Sequence, residues 1–409
     1  MRKRMSNVWY FMGWAVVLGI MNAYALEVVV DTGPGARNQC PVCVSLKGVS
    51  LPEGIAPGKD LKLVGGKEEI PAMLLNDAGE PVLYFILNGL SAKEQKTFQL
   101  TAGKTQTLTP VKIDKKDKTL DIQIGDRPFT VYVFAGDKVV RPYFYPLFGP
   151  QGARMTRGYP MDYHEGEEKD HPHHHSLWVA HGNVNGIDNW SVESGHGFTK
   201  QTRINFVESG PVCGRFSTFN DWTSADGKKI LEDHRVLTIW GAPETGRIID
   251  FDLTFMATEG DVKFGDTKEG GLVSLRVADS MTEKRKKGGI ITNANGGVGM
   301  SETWGKSAPW CDYSGPVDGI TAGLSILDHP ANPFFPTYFH VRDYGLFTAN
   351  PFGLSAFTND KSKDGSRILK KDQPWHLRYR VYIHAGDVKS SRVAEAYSNF
   401  ADGPKITVR

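Results

Sequence analysis

The chain has 409 residues, with 48 basic and 46 acidic side chains, a formal charge of +2 and 40% apolar content, enough for one large core and one smaller one. So even a balance excludes the strongly basic surface of a nucleic-acid-binding protein. The four cysteines are too few for a scaffold built on disulfides.

In chain order, the first segment has a basic start (Arg2, Lys3, Arg4), an apolar middle from Val8 to Met21, and Ala23-Tyr24-Ala25, the small-x-small pattern that a signal peptidase cuts. The apolar middle is shorter than the ~20 residues of a spanning helix, and no later stretch is apolar enough to span. The sequence therefore predicts a signal peptide over residues 1–25 and a periplasmic or secreted protein, with no membrane partner after cleavage. Loss of Arg2, Lys3 and Arg4 leaves 45 basic against 46 acidic residues, about −1. Cys40, Cys43, Cys213 and Cys311 allow three pairings. Cys40-Pro-Val-Cys43 lacks the βαβ surroundings of a thioredoxin-like redox motif.

The mature chain then runs through short, β-branched and aromatic segments such as "DLKLVGG", "PVLYFILNGL", "LDIQIG", "GRIIDFDLTFMA" and "HLRYRVYIHAG", punctuated by Gly, Asn and Asp turns. This pattern predicts an all-β fold. The polar stretch Thr101 to Thr119 separates a first unit, a small immunoglobulin-like β-sandwich over 26–110, from a large two-sheet sandwich over 111–409. A single helix is predicted from about Val388 to Ala401, behind Asp387 as its cap, with Val393, Ala396, Tyr397 and Phe400 at helical spacing.

Four loop-like segments of the second unit carry the polar and aromatic residues, and loops on a rigid sheet scaffold are where sites form. In the first, Arg141 and Arg157 offer donor forks, while Trp178 and Trp190 offer faces that stack on sugar rings. It also contains "KDHPHHHSLWVAHGNVNG", Lys169 to Gly186. Pro172 disfavours a helix there, so an extended segment is expected, with histidines alternating sides from His171 to His175. Neutral imidazoles in such a run serve either as general acid/base groups or as ligands for zinc or copper; a solvated cluster is the third alternative. Asn185 closes the segment as a further polar candidate.

The second segment, "KFGDTKEGGLVSLRVADS", places Lys268 and Glu269 directly before Gly270-Gly271, where a backbone can approach a ligand closely. Glu269 is its candidate catalytic carboxylate. The third, "WGKSAPWCDYSG", holds Trp304, Lys306 and Trp310, a candidate sugar-binding wall. The fourth, "LDHPANPFFPTYFHVRDYGLFTANPFG", is stiffened by four prolines and carries His340 and Tyr344.

Taken together, "RPYFYPLFGPQGARMTRGYP", "DHPHHHSLWVAHGNVNG", "GDTKEGGL", "WGKSAPWCDYSG", "DHPANP" and "HVRDYGLFTANPFG" resemble the exported bacterial proteins labelled PmoA-like, or methane oxygenase PmoA, over about Arg141 to Gly353. The run "PYFYPLFGP", leading into an arginine and then a histidine-bearing strand, is similar in architecture to the galactose-mutarotase-like supersandwich proteins. That second resemblance implies a histidine and a carboxylate acting on a sugar from one sheet face: His174 or His181, together with His340, as acid/base groups and Glu269 as carboxylate partner. His175 stands where the first family is expected to carry arginine, which removes an anion contact the resemblance would otherwise imply.

The expectation is a carbohydrate-active enzyme, of glycoside hydrolase, lyase or epimerase type, with no cofactor. One alternative is a metal-dependent hydrolase or oxygenase, with a divalent metal on His171 and His173. The other is a non-catalytic sugar-binding protein. The sequence leaves the oligomeric state open.

Overall fold

The computed structural model describes residues 26–77, 79–105, 109–243 and 245–409. The predicted signal peptide lies outside the described residues. Among the described residues the protein is almost entirely β-sheet, as the alternating segments predict, with three short α-helices of which Val393–Ala401 is the longest.

Six strands from Leu26–Asp31 to Gln95–Ala102 form one continuous seven-stranded sheet, completed by the C-terminal strand Lys405–Val408, which pairs with Leu26–Asp31. The sequence division at residue 110 assigns that last strand to the second unit; in the fold it returns to the first. Period-two alternation explains how the sheet makes its own core: Leu26, Val28 and Val30 are buried in one strand, and Leu61 and Leu63 in another.

The rest of the described chain forms a nine-stranded and an eight-stranded sheet, both antiparallel in their pairings, and a small two-stranded one, Val262–Phe264 with Arg367–Leu369. Leu177, Val179, Leu272 and Leu275 of the nine-stranded sheet and Leu237, Ile239, Val381 and Ile383 of the eight-stranded sheet belong to one buried cluster, so these two sheets pack face to face. A separate cluster joins Met73 and Tyr84 of the first sheet to Trp240, Ile248 and Tyr382 of the eight-stranded sheet and to Val393 and Phe400 of the helix. The first sheet and the helix therefore cover the outer face of the eight-stranded sheet. The outer face of the nine-stranded sheet is left for other use.

The helix presents the predicted apolar face, but it starts later than predicted. Arg392 at φ 58° interrupts the chain before Val393, and Asp387 instead accepts the amides of Lys389 and Ser390, at 3.1 and 2.8 Å, in a preceding turn. All four cysteines are free thiols. Among the described residues no helix is long and apolar enough to cross a membrane.

Candidate active site on the outer face of the nine-stranded sheet

Strand register decides which side chains share this face, because directly opposed residues point the same way. Tyr143 opposes Trp178, Trp178 opposes Ser274, Ser274 opposes Thr348 and Thr348 opposes His340. Five strands thus lay down one outward row. Arg276 and Leu346 form a parallel pair beside it.

Over this floor folds the histidine segment, which is not extended as the sequence reading expects. His171 adopts a left-handed φ of 45° and Ser176 one of 60°. His174 N–H closes a turn onto the His171 carbonyl at 3.0 Å. The turn gathers the rings instead of alternating them. His171 stacks on Tyr344 at 5.1 Å and on His174 at 4.7 Å, and His174 stacks on Trp178 at 5.4 Å. His173 meets His171, His174 and Trp190 edge-on. His175 turns away and stacks on Tyr143 at 5.0 Å.

Asp170 anchors the turn. Its carboxylate accepts from Arg157, from Arg276 at 2.7 Å and from His171 Nδ1–H at 2.7 Å. Burial would raise this carboxyl, yet His171, Arg276 and Arg157 together hold it well below the ordinary carboxylate range. Arg276 also donates to His174 Nδ1 at 3.2 Å. That bond assigns the His174 proton to Nε2, since a guanidinium only donates.

On the other side, His340 donates Nδ1–H to the Lys268 carbonyl at 2.6 Å, which leaves the Nε2 lone pair as its basic site; Nε2 is buried without a partner among the described residues. Burial lowers the His340 pKa to about 4, against the opposing charge of Glu269. Burial would raise Glu269, but its ion pair with Lys268 outweighs this and keeps it below its ordinary value. The Glu269 side chain remains 43% exposed, so a ligand can reach it. Trp304 stands edge-on to His340 at 6.3 Å. Burial raises Tyr344 to about 12, keeping its hydroxyl protonated while Arg342 and Arg276 pull the other way.

The site thus gathers His171, His173, His174, Arg157, Trp178, Lys268, Glu269, Trp304, His340 and Tyr344. Several of these take different parts from those expected. Arg157 is fully buried and spends its donors on Asp170 and on the carbonyls of Tyr159, Glu168 and His171. Trp178 and Trp190 are 1% and 2% exposed, so they support the histidines and offer no open wall to a sugar. Arg141 is buried behind them and donates to the Ser191 carbonyl at 3.0 Å. Burial, first, and then its histidine and arginine neighbours push His174 well below the ordinary histidine range. It stays neutral inside the stack.

Four expected residues lie elsewhere. His181 alternates with Ala180 and so points inward, where it is fully buried against Phe264 and Phe352 and donates Nε2–H to the Gly265 carbonyl at 2.9 Å. Lys306 opposes Phe339, a core residue, and is exposed at the sheet edge rather than beside His340. Trp310 belongs to the eight-stranded sheet and packs in the cluster under the first sheet. Asn185 is an exposed turn residue at φ 53° whose side chain accepts the Lys263 amide at 2.7 Å. Asp170, which ties Arg157, Arg276 and His171 together, is the member of this cluster that the sequence does not single out. It lies inside the segment singled out, but nothing in its spacing marks it apart from the neighbouring acids.

Among the described residues no group of three or more His, Cys, Asp or Glu side chains is arranged to hold a metal ion. His171 spends Nδ1 on Asp170, and its ring centre is 5.7 Å from that of His173.

The fold is an all-β, two-sheet sandwich with histidine and carboxylate side chains gathered on one sheet face. The model of the family described as "Family of unknown function (DUF6807)" matches residues 119–398, and the chain belongs to that family. No curated protein matches it. Among solved structures it is similar to an alpha-mannosidase from Enterococcus faecalis V583, at a TM-score of 0.44 and 9% identity, over 94% of this chain and 46% of that one. The chain therefore spans about half the length of that enzyme.

Proposed function

We propose that the protein is an exported carbohydrate-active enzyme that acts on a glycan or oligosaccharide by general acid/base catalysis. The observation that carries this reading is one sheet face that holds the Asp170–His171 pair against the Tyr344 ring and also carries His340, bonded to the Lys268 carbonyl next to Glu269. His340 is neutral at pH 7, and its Nε2 lone pair, unpaired among the described residues and covered by the fold, is the base of this proposal. Tyr344 keeps its proton and serves as donor to a leaving or returning oxygen. A pair of opposed proton-transfer groups suits hydrolysis, elimination or epimerisation at a sugar carbon. The motifs that resemble the PmoA-like proteins, about Arg141 to Gly353, supply every one of these groups.

The test is an oligosaccharide panel read for new reducing ends, for unsaturated products and for inverted stereocentres, on the parent and on His340→Ala and Glu269→Gln. Turnover that both variants abolish supports the reading. Unaltered ligand affinity in both variants, with no turnover in the parent, would leave a sugar-binding protein instead. A stoichiometric metal in the purified protein, lost in His173→Ala, would replace acid/base chemistry with the metal-dependent alternative.

A further inference from the structure

The buried arginines of this protein all have oxygen acceptors. Arg215 has Asp77, Arg235 has Asp233, Arg380 has Asp250, and Arg157 and Arg276 share Asp170. Arg342, partly buried in the candidate site, departs from this. No carboxylate, carbonyl or amide oxygen accepts from its guanidinium among the described residues, and its Nε is buried without a partner. Its guanidinium lies over the face of Tyr344, 5.5 Å from the ring centre.

The position is fixed by the main chain. Arg342 N–H donates to the Leu346 carbonyl at 2.7 Å, and its own carbonyl accepts from Gly345 at 2.9 Å and from Tyr313 Oη at 3.2 Å. It lies one residue past the last paired position, Val341, and its guanidinium is turned toward the Tyr344 ring. Its charge acts on both His340 and Tyr344.

The charge balance points the same way. With the buried histidines neutral, Arg157 and Arg276 share Asp170, Arg157 also feels Asp279, and Lys268 pairs with Glu269, whereas Arg342 has no ion pair among the described residues. Asp343 acts on Tyr313, a core residue. A half-buried guanidinium without an oxygen partner forfeits its strongest interactions. A ligand carboxylate supplies them, and a bidentate fork reads its plane.

Resting on the carbohydrate reading above, we propose that the ligand is a sugar acid, a uronate-containing glycan whose carboxylate is received by Arg342 beside the Tyr344 ring. Neutral glycans of the same linkage lack the group that Arg342 is placed to meet.

The experiment is calorimetric titration of the full protein with oligogalacturonate, oligomannuronate and hyaluronan fragments, with their neutral counterparts and with citrate as a carboxylate that is not a sugar. Parent, Arg342→Gln and Arg342→Lys are compared at two salt concentrations, with thermal unfolding as the check that each variant is folded. An acidic oligosaccharide is expected to bind at least about tenfold more tightly than its neutral counterpart. Salt should weaken that preference, Arg342→Gln should abolish it, and Arg342→Lys should restore it in part. Equal affinity for acidic and neutral sugars, or a preference that survives in Arg342→Gln, overturns the inference and leaves the carbohydrate reading standing. Arg342-dependent binding of citrate with no oligosaccharide bound does the reverse: the carboxylate site stands and the carbohydrate reading falls. No binding by any probe overturns the inference.

Discussion

His340 gives its Nδ1 proton to the carbonyl of Lys268, 2.6 Å away, and Lys268 is the chain neighbour of Glu269. One bond therefore sets the histidine tautomer and ties it to the segment that carries the carboxylate. The same carbonyl also accepts from Asn350 Nδ2 at 3.1 Å, so His340→Ala does not orphan it. That variant should lose about 1–3 kcal/mol of stability, while turnover falls on the order of 10²–10⁴-fold. Urea unfolding and steady-state kinetics on one preparation separate the two effects. Unchanged turnover would remove His340 from the chemistry.

Asp170 is the shared counter-ion of two arginines whose side chains are 0% exposed. Asp170→Ala leaves both charges buried without their carboxylate and should cost about 3–5 kcal/mol. Asp170→Asn keeps an oxygen acceptor and should cost less. Chemical denaturation of the two variants tests this order; parental stability in Asp170→Ala would show that the arginines find other partners.

Burial lowers His173, His181 and His340 to about 4 and His175 to about 3, from 6.5. These groups stay neutral in the fold while the unfolded chain takes up protons below its ordinary histidine pKa. Stability should therefore be full above about pH 6.5 and decline as the pH falls toward 4, each group adding a slope of up to about 1.4 kcal/mol per pH unit. Unfolding midpoints measured across this window check the prediction. A flat profile between neutrality and pH 5 would mean that the imidazoles take up protons in the fold as readily as in the unfolded chain.

Gly182 follows His181 and donates its N–H to the Glu269 carbonyl at 2.8 Å. A Cβ there would lie 2.5 Å from that oxygen, closer than the backbone can tolerate. Gly182→Ala should push the Glu269 segment outward, cost about 1–3 kcal/mol, and lower turnover more than that stability loss alone explains. Kinetics well below the unfolding temperature test it; parental activity would show that the Glu269 carbonyl can move without consequence.

Much of the fold was legible in the sequence because strand alternation is local. "LDIQIG" buries Leu120, Ile122 and Ile124 as its pattern requires, and the apolar stripe of the helix faces the core as predicted. The helix start was not legible, because a left-handed Arg392 outweighs the capping candidate Asp387. Of the residues singled out, His340 bonds to the Lys268 carbonyl and Lys268 pairs with Glu269, while Tyr344 stacks on His171. The extended course expected of the histidine segment failed at His171, whose left-handed backbone is held by contacts to Asp170 and Tyr344 from outside its own turn.

By itself, the sequence determined the β-sheet class and the segments in which polar, aromatic and histidine side chains are concentrated, since both are properties of neighbouring residues. Only the tertiary structure decided which of those side chains meet. Along Leu177–His181 each step of one residue changes the face, so Trp178 lies under the site and His181 lies in the core. Across the sheet, pairing register alone brings Thr348 and His340 into the row of Trp178 and Ser274. Register is set by long-range packing and turn geometry, which no short stretch of this chain contains.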